Sequence, residues 1–416
     1  MDKTKSNKNI IIDYCILALC VIAVAIITFI LFNNQAVYGV IARQTDFSVD
    51  LYHSDMYAYM QEMQGLDSGY SFPYPVFFKL SALFNLVLSP EHSVALATCL
   101  LNVLAIIFTK LSLNNFVLNK EYSDKKDIIA RVVITLVSVA LFFVSMMIPP
   151  FGIYMGTKFR CVGIFSSNPF QNATYMAARP FAIVSFVYFC KLLGEYEEGW
   201  KGKYKDYIIF AVAFLLLTMT KPSFTLVLGA AAVIIILVRF FMKKCKTVIP
   251  SLQLALCFVP TILDLLYQYK GVFIGSDPGT ESGIGFCFGD IWMQYTNNIF
   301  SSVFLAMGFP ILMLILNFKA LKTNERYRVA WICYIVSFLM AFCCYEKGSR
   351  AVDFNFSWSY MYGIFFTFFA SVEILIAQTI KGERKILTGI SWVAFLYHLI
   401  SGIYFFGGIF AGGTYY

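Results

Sequence analysis

Acidic and imidazole side chains are concentrated in the stretch Asp46–Pro75, which directly follows the first apolar segment of the chain. They are Asp46, Asp50, His53, Asp55, Glu62 and Asp67. Carboxylates and imidazoles are the groups that most often take or give protons in catalysis. Most other long polar stretches of this chain are basic, and an acidic segment does not serve to bind anionic lipid. The stretch is therefore the first candidate for proton-transfer chemistry.

Within this stretch, residues 54–64 predict a short helix with Ser54 as its N-cap. Apolar side chains recur at helical spacing and form one stripe: Met56, Tyr59, Met60 and Met63. Asp55, Tyr59 and Glu62 share another face, because steps of four and seven residues return to nearly the same angle. One interpretation is a general base held beside a substrate in the membrane. The other is the solvated face of a helix that lies on the bilayer surface.

A second group of candidates could bind an anion such as a phosphate: Lys158, Arg160, Asn168, Arg179, Lys221, Lys347 and Arg350. Guanidinium groups suit phosphate because they can donate two hydrogen bonds at once. Arg179 lies inside an apolar segment, where an unpaired charge costs about 2.5–3.5 kcal/mol, so we expect it to have an anionic partner. Lys347 and Arg350 are three residues apart and could clamp one phosphate. Residual surface charge, snorkelling and surface ion pairs are the alternative explanations.

The elements that must position these residues are transmembrane helices. The chain has 416 residues, of which 59% are hydrophobic and 13% charged, whereas soluble domains carry about 25% charge. Apolar runs of about 20 residues, the length that crosses a bilayer core, recur throughout. We predict an all-α, polytopic helical membrane protein with about eleven spans. These are residues 10–32, 92–113, 131–148, 174–193, 206–220, 223–242, 248–268, 298–318, 329–344, 359–380 and 387–407.

The whole chain, 1–416, reads as a single transmembrane domain. Residues 33–90 form its first outer loop, which we expect to be amphipathic and to hold interfacial helices, with no separate soluble domain. One of these helices is Tyr74–Leu88, which is apolar but short and is interrupted by Lys79. The first span carries no small-residue cleavage site after it and is expected to be retained.

Clusters of Lys and Arg alternate with the spans and predict the orientation. By the excess of cations in cytoplasmic loops, the N-terminus is expected in the cytoplasm and the C-terminus outside a cell membrane. The net charge of +8 is distributed among these clusters and does not indicate nucleic-acid binding. The eleven cysteines follow no metal-binding spacing, and Cys161 and Cys287, in predicted outer loops, could pair.

These motifs together resemble the GT-C type of integral-membrane glycosyltransferases. The resemblance rests on the acidic and aromatic run Asp55–Tyr59, the Phe-Pro-Tyr-Pro sequence at 72–75 ahead of the second span, and three later elements. Those are Asn168-Pro169, Arg179-Pro180 and Lys221-Pro222.

The resemblance implies a polyprenyl-phosphate-linked sugar as donor and a glycan, lipid or protein as acceptor, handled at the outer face of the bilayer. In that family, a loop carboxylate is the catalytic base or a metal ligand, a role that falls on Asp55, with Asp50 second. His53, Tyr59 and Glu62 would then contact the substrate. Many members have two adjacent acids, whereas Met56 follows Asp55 here, which leaves the use of a divalent metal ion open.

Two other functions compete with glycosyl transfer from a lipid donor. A cell-surface glycan polymerase or ligase also has many spans and outer arginines, although such proteins have a longer late outer loop. A lipid-linked-glycan flippase or another transporter would show paired repeats and helices broken in both halves, and neither pattern is found in the sequence.

Overall fold

The computed structural model describes residues 3–44, 51–119, 122–150, 153–200, 202–273 and 283–415. In this part of the chain, the regular elements are nearly all α-helices. The helices of the first half are α1 (Lys3–Gln44), α2 (Met56–Met63), α3 (Val76–Phe84), α4 (Pro90–Val117), α5 (Asp124–Phe143), α6 (Cys161–Ile164), α7 (Ala173–Glu195) and α8 (Tyr204–Thr218). Those of the second half are α9 (Ser223–Met242), α10 (Val248–Leu256), α11 (Val259–Phe273), α12 (Asp290–Met293), α13 (Ile299–Leu316), α14 (Ala320–Thr323), α15 (Glu325–Cys343), α16 (Ser357–Lys381) and α17 (Lys385–Phe410).

Eight of the described helices are long and apolar enough to cross a membrane. They are α1, α4, α7, α9, α13, α15, α16 and α17. The helices α10 and α11 make a ninth if they count as one span, bent by 49° at the break between them. The predicted class, an all-α multi-pass membrane protein, is confirmed at this level.

The predicted number of about eleven spans is not confirmed. Two of the predicted spans fall on α5 and α8, which lack the length or the composition of the others. The first turns of α5 hold Asp124, Lys125, Lys126, Asp127 and Arg131. With 15 residues, α8 is about 22 Å long, which is shorter than a bilayer core of about 30 Å.

The helix α16 forms the centre of the bundle, since its side chains are buried from Ser357 to Thr367 and beyond on nearly every face. It packs against α15, α9, α13 and α5. Small residues allow the closest approaches: a Cβ at Gly363 of α16 would lie 2.0 Å from Ser337 Oγ of α15. At Gly402 of α17, a Cβ would lie 1.9 Å from the carbonyl oxygen of Phe143. Close packing of this kind holds helices together where the surrounding lipid is as apolar as their side chains.

The predicted helix in the first outer loop is present as α2. Its N-cap is Asp55 rather than Ser54, and the Asp55 side chain makes no capping bond. The predicted apolar stripe is present, but it is buried against the protein and does not face the bilayer, because it packs with α1, α3 and α4 in one hydrophobic cluster. The second predicted interfacial segment, Tyr74–Leu88, contains the shorter helix α3, whose Phe77 and Phe78 join that cluster.

A small antiparallel sheet, which the sequence did not predict, joins two loops. Strand β1 (Ile284–Phe286) pairs with β2 (Cys344–Glu346), and β2 directly follows α15. The pairing ties the loop after α11 to the end of α15.

Polar contacts separate the bundle into two ends. At one end, which we call the Asp55 end, the backbone N–H of Tyr52 donates to the carbonyl of Gly412 at 3.1 Å, so the first loop and the chain's last residues lie together. This grouping agrees with the prediction that both lie on one side of the membrane. At the opposite Asp13 end, Asp13 of α1 and Lys110 of α4 form an ion pair of 3.0 Å with side chains at most 1% exposed. Thr135 of α5 also donates to Asp13, at 2.7 Å.

We predict that this ion pair stabilises the bundle because each charge is the main partner of the other. Asp13→Asn leaves Lys110 buried without its counter-charge and should lower the free energy of unfolding by about 3–5 kcal/mol, measured by denaturant titration in detergent. Adding Lys110→Met should recover most of the loss. The control is Asp206→Asn, which breaks a pair whose Lys191 side chain is 52% exposed and should cost at most about 1 kcal/mol. Equal losses at the two pairs would contradict the prediction.

Candidate functional site

The carboxylate of Asp55 lies at the start of α2, half-buried and facing a cavity. Its backbone N–H donates to the carbonyl of Gln171 at 3.3 Å, which fixes the start of the helix against the loop before α7. One carboxylate oxygen, Oδ2, accepts from Asn172 Nδ2 at 2.6 Å and from the Tyr59 hydroxyl at 3.2 Å. The predicted shared face of Asp55 and Tyr59 is therefore present. These contacts hold the carboxylate in one orientation.

Asn172 connects this carboxylate to the rest of the site. It is the N-cap of α7, where its Oδ1 accepts from the backbone N–H of Tyr175 at 2.9 Å. The same oxygen accepts from the Thr174 hydroxyl at 3.0 Å and from Lys221 Nζ at 3.1 Å. An amide suits this position because it donates from one atom and accepts at the other, so it can join a carboxylate to an ammonium.

Lys221 projects from the turn between α8 and α9 and is buried. Besides Asn172, it donates to Thr174 Oγ1 at 3.2 Å, and its ammonium lies 4.9 Å from the centre of the Trp358 ring. Within the described residues, it makes no direct ion pair with a carboxylate. Its neighbours are neutral oxygens and an aromatic face, which leaves its charge available to an anion in the cavity.

Burial shifts the pKa values of Asp55 and Lys221 in opposite directions. Burial raises the pKa of the Asp55 carboxyl, while the charge of Lys221 and hydrogen bonds from Tyr59 and Asn172 partly oppose the rise. Burial lowers the pKa of Lys221 to about 8, an effect that the Asp55 charge opposes and the charge of Arg350 reinforces. At neutral pH, Lys221 is therefore mostly protonated. A carboxylate with a raised pKa is the stronger base of its kind.

The cavity that these groups line has a volume of about 830 Å³. One flank is apolar and is formed by Leu226 of α9 and by Ile262, Leu265 and Leu266 of α11. Aromatic side chains surround its polar part, namely Tyr59, Tyr70, Phe72, Tyr74, Phe165, Tyr269, Tyr295, Phe354, Phe356, Trp358 and Tyr415. A ligand with a polar head and a long apolar portion would match both surfaces.

Another cation, Arg350, lies at the edge of the cavity, in the segment between β2 and α16. Arg350 Nε is 3.3 Å from Glu346 Oε2 and 3.3 Å from Asp353 Oδ2, and all three residues line the cavity. Its side chain is 40% exposed, so these pairs are weak and can exchange for another anion. His53 also lines the cavity, with its ring 5.5 Å from that of Tyr415.

Two predicted binding residues support the loop before α7 instead of lining the cavity. Arg179 is buried, and it donates to the side-chain oxygen of Asn168 and to the carbonyl of Ser167 at 2.6 Å. Asn168 in turn donates to the carbonyl of Val144 at 2.6 Å. The anionic partner expected for Arg179 is not found among the described residues. Neutral oxygens and the ring of Phe365, 4.5 Å away, take its place.

The remaining predicted residues, Glu62, Lys158, Arg160 and Lys347, do not line the cavity. Arg160 donates to the carbonyl of Tyr295, which does line the cavity, while Lys158 is exposed. Lys347 is exposed, and its backbone N–H donates to the carbonyl of Gly283 at 2.8 Å. Lys347 and Arg350 were expected to bind one phosphate together, but of these two only Arg350 lines the cavity. Glu62 is only partly buried, and burial raises its pKa.

Asp50, the second candidate base, lies outside the described residues. Among the residues that the structure does describe, no three His, Cys, Asp or Glu side chains form a group that could hold a metal ion.

Two important residues, Asn172 and Thr174, were not among the predicted binding residues. They are 117 and 115 residues from Asp55 and Tyr59, their partners in the first loop. The sequence signal that could have identified Asn172 is its position before a long apolar helix, which is typical of an N-cap. No protein-family model and no curated protein matches the chain.

We predict that Asn172 supports the site beyond its role as a cap. Asn172→Ala removes the acceptor for Tyr175 N–H. It also removes the side chain that connects Asp55 to Lys221 through hydrogen bonds. It should lower the free energy of unfolding by about 2.5–4 kcal/mol, since a cap is worth about 1 kcal/mol and a hydrogen bond to a charged group about 1.5–3. The control is Asn298→Ala, which removes only the N-cap bond to Ser301 N–H at 3.0 Å and should cost about 1 kcal/mol. A loss at Asn172 no larger than at Asn298 would show that the bridge is unimportant.

Proposed function

We propose that the protein is a membrane glycosyltransferase that moves a sugar from a polyprenyl-phosphate donor to an acceptor hydroxyl. The observation that carries the proposal is the pairing of a half-buried carboxylate, Asp55, with a buried ammonium, Lys221, in a cavity with one apolar flank. The reaction needs a group that takes a proton, a group that holds a phosphate and a surface for a lipid tail. The resemblance to GT-C glycosyltransferases agrees with this combination.

Asp55 is the proposed general base. Its Oδ2 is held by Asn172 and Tyr59, and the carboxylate lines the cavity, so it can accept the proton of an acceptor hydroxyl as that oxygen attacks the sugar. The raised pKa makes the carboxylate a stronger base, and the charge of Lys221 beside it favours the ionised form.

Lys221 and Arg350 are the proposed phosphate-binding cations. Breaking the bond between the sugar and the phosphate leaves an additional negative charge on the phosphate oxygen, and a fixed cation lowers the energy of that state. Lys221 is positioned by Asn172 and Thr174, and Arg350 can exchange its weak pairs with Glu346 and Asp353 for the phosphate. Lys158, Arg160 and Lys347 do not line the cavity and are not assigned this role.

The apolar flank between α9 and α11 is the proposed site of the first prenyl units. It faces the cavity through Leu226, Ile262, Leu265 and Leu266. The aromatic residues near Asp55, including Tyr70, Tyr74 and Trp358, offer flat apolar faces of the kind that pack against sugar rings. In the proposed orientation, the Asp55 end faces the outside of a cell membrane, with the N-terminus in the cytoplasm and the C-terminus outside.

We predict that Asp55→Asn keeps donor binding and loses turnover. The amide preserves the size and can still accept a hydrogen bond, but it cannot take the proton, so transfer should fall by about 10²–10⁴-fold. The measurement is sugar transfer by purified protein, with donor binding assayed separately. The control is Asp67→Asn, because Asp67 is exposed and its carboxylate only accepts from Gly69 N–H at 2.8 Å. Transfer at the normal rate by Asp55→Asn would exclude Asp55 as the base.

Removing Arg350 should instead weaken donor binding. We expect Arg350→Ala to raise the dissociation constant of the polyprenyl-phosphate sugar by more than about tenfold, since a charge-assisted contact contributes about 1.5–3 kcal/mol. Lys347→Ala is the matched control, because that exposed cation lies three residues away and does not line the cavity. Donor affinity that is unchanged in Arg350→Ala, or lowered equally in both variants, would contradict the assignment.

A further inference from the structure

Three cysteines lie together where the loop after α11 meets the end of α15. Cys287 follows β1, Cys343 is the last residue of α15, and Cys344 is the first residue of β2. All three are half-buried, and the structure has them as free thiols. They lie at one end of the small sheet at the edge of the cavity and take no part in the proposed transfer reaction.

The register of the sheet places two of them directly opposite each other. Phe286 pairs with Cys344 in the antiparallel ladder, so the next step pairs Cys287 with Cys343. The backbone N–H of Cys287 donates to the carbonyl of Cys343 at 2.9 Å, which shows that the register continues to this pair. Residues opposite each other in such a hydrogen-bonded pair have Cα atoms about 5.5 Å apart. A disulfide requires about 4.4–6.8 Å.

A second observation also indicates that the three thiols lie close together. Burial raises the pKa of the Cys344 thiol, and the neighbouring thiols of Cys343 and Cys287 raise it further. Cys161, by contrast, contacts the amide of Gln171, with its sulfur 3.5 Å from Nε2. The sequence left open a disulfide between Cys161 and Cys287. The structure instead places Cys343 opposite Cys287.

We propose that Cys287 and Cys343 form a disulfide that closes the sheet beside the cavity. In the proposed orientation, this end of the bundle is external, where thiols are exposed to oxidising conditions. The oxidant is a disulfide-bonded thiol–disulfide exchange protein. The Cys287 thiolate attacks its disulfide, and the Cys343 thiolate then attacks the Cys287 sulfur of the mixed disulfide. Two thiols lose two protons and two electrons, and the oxidant leaves as a dithiol.

The linkage acts on the cavity through the residues next to it. Ile284 of β1 and Glu346 of β2 both line the cavity, and Glu346 is one of the two carboxylates paired with Arg350. Joining Cys287 to Cys343 keeps the two strands paired, so it holds Glu346 and the loop after α11 in place. The proposal rests on the predicted orientation and not on the transfer activity, so the two can fail separately.

The test is differential alkylation of the full-length protein in membranes. Free thiols are blocked with light N-ethylmaleimide under denaturing conditions, the protein is reduced, and the released thiols are labelled with heavy N-ethylmaleimide before peptide mass spectrometry. We expect the heavy label on Cys287 and Cys343 and the light label on Cys245, an exposed thiol at the other end of the bundle. Asp55→Asn protein should give the same pattern, whether or not it is active.

Cys287→Ser should move Cys343 from the heavy to the light label, and Cys343→Ser should do the same for Cys287. Either variant serves if the other accumulates poorly. Light label on Cys287 in the wild-type protein would overturn the proposal. A non-reduced peptide map that joins Cys287 to Cys344 or Cys161 would also overturn it, since the register pairs Cys287 with Cys343.

Discussion

The main physical constraint on this protein is that every charge placed among its helices must find its partner inside the protein. Hydrocarbon offers no water to solvate a charge or a polar group, so an unpaired ion in a span is costly. At the Asp13 end, the chain meets this constraint by direct ion pairing. Asp13 with Lys110 and Glu373 with Arg326 are carboxylate–cation pairs between different helices. They join α1 to α4 and α15 to α16, so these carboxylates and cations are in direct contact with each other.

At the Asp55 end, the same constraint is met differently. Lys221 is buried, yet its hydrogen bonds go to the neutral oxygens of Asn172 and Thr174, and Asp55 is reached through Asn172. The carboxylate and the ammonium are close enough to influence each other's pKa without neutralising each other by contact. Their separation leaves one group free to take a proton and the other to bind an anion. This difference between the two ends is the physical reason to place the chemistry at Asp55.

The sequence predicted what depends on local patterns. Apolar runs predicted the membrane class, and the spacing of Met56, Met60 and Met63 predicted the apolar face of α2. It did not predict that this face packs onto α1, α3 and α4, because a stripe at helical spacing is the same whether lipid or protein covers it. The predicted number of spans is not confirmed, since the apolar runs at α5 and α8 include a charged first turn and a helix of only 15 residues.

The candidate site was predictable only in part, for a similar reason. Asp55, Tyr59, Lys221 and Arg350 were chosen by residue type and predicted side, and all four line one cavity. Asn168 and Arg179 were chosen by the same rule, but they hold the loop before α7. Residue type alone cannot separate an arginine that binds a ligand from one that satisfies backbone carbonyls. The contacts in the folded chain distinguish them: Arg179 donates to Asn168 and Ser167, whereas Arg350 lines the cavity.

The proposed reaction also accounts for why Asp55 and Lys221 share a cavity. When the acceptor hydroxyl attacks, its proton passes to Asp55, which loses its charge. The leaving phosphate gains a charge in the same step, beside Lys221 and Arg350. The total charge in the cavity is therefore unchanged, and the negative charge moves from the carboxylate to the phosphate. In a half-buried site, where creating a new charge is expensive, such a transfer costs less than the two steps taken separately. Asn172, which contacts both Asp55 and Lys221, fixes the distance over which this transfer takes place.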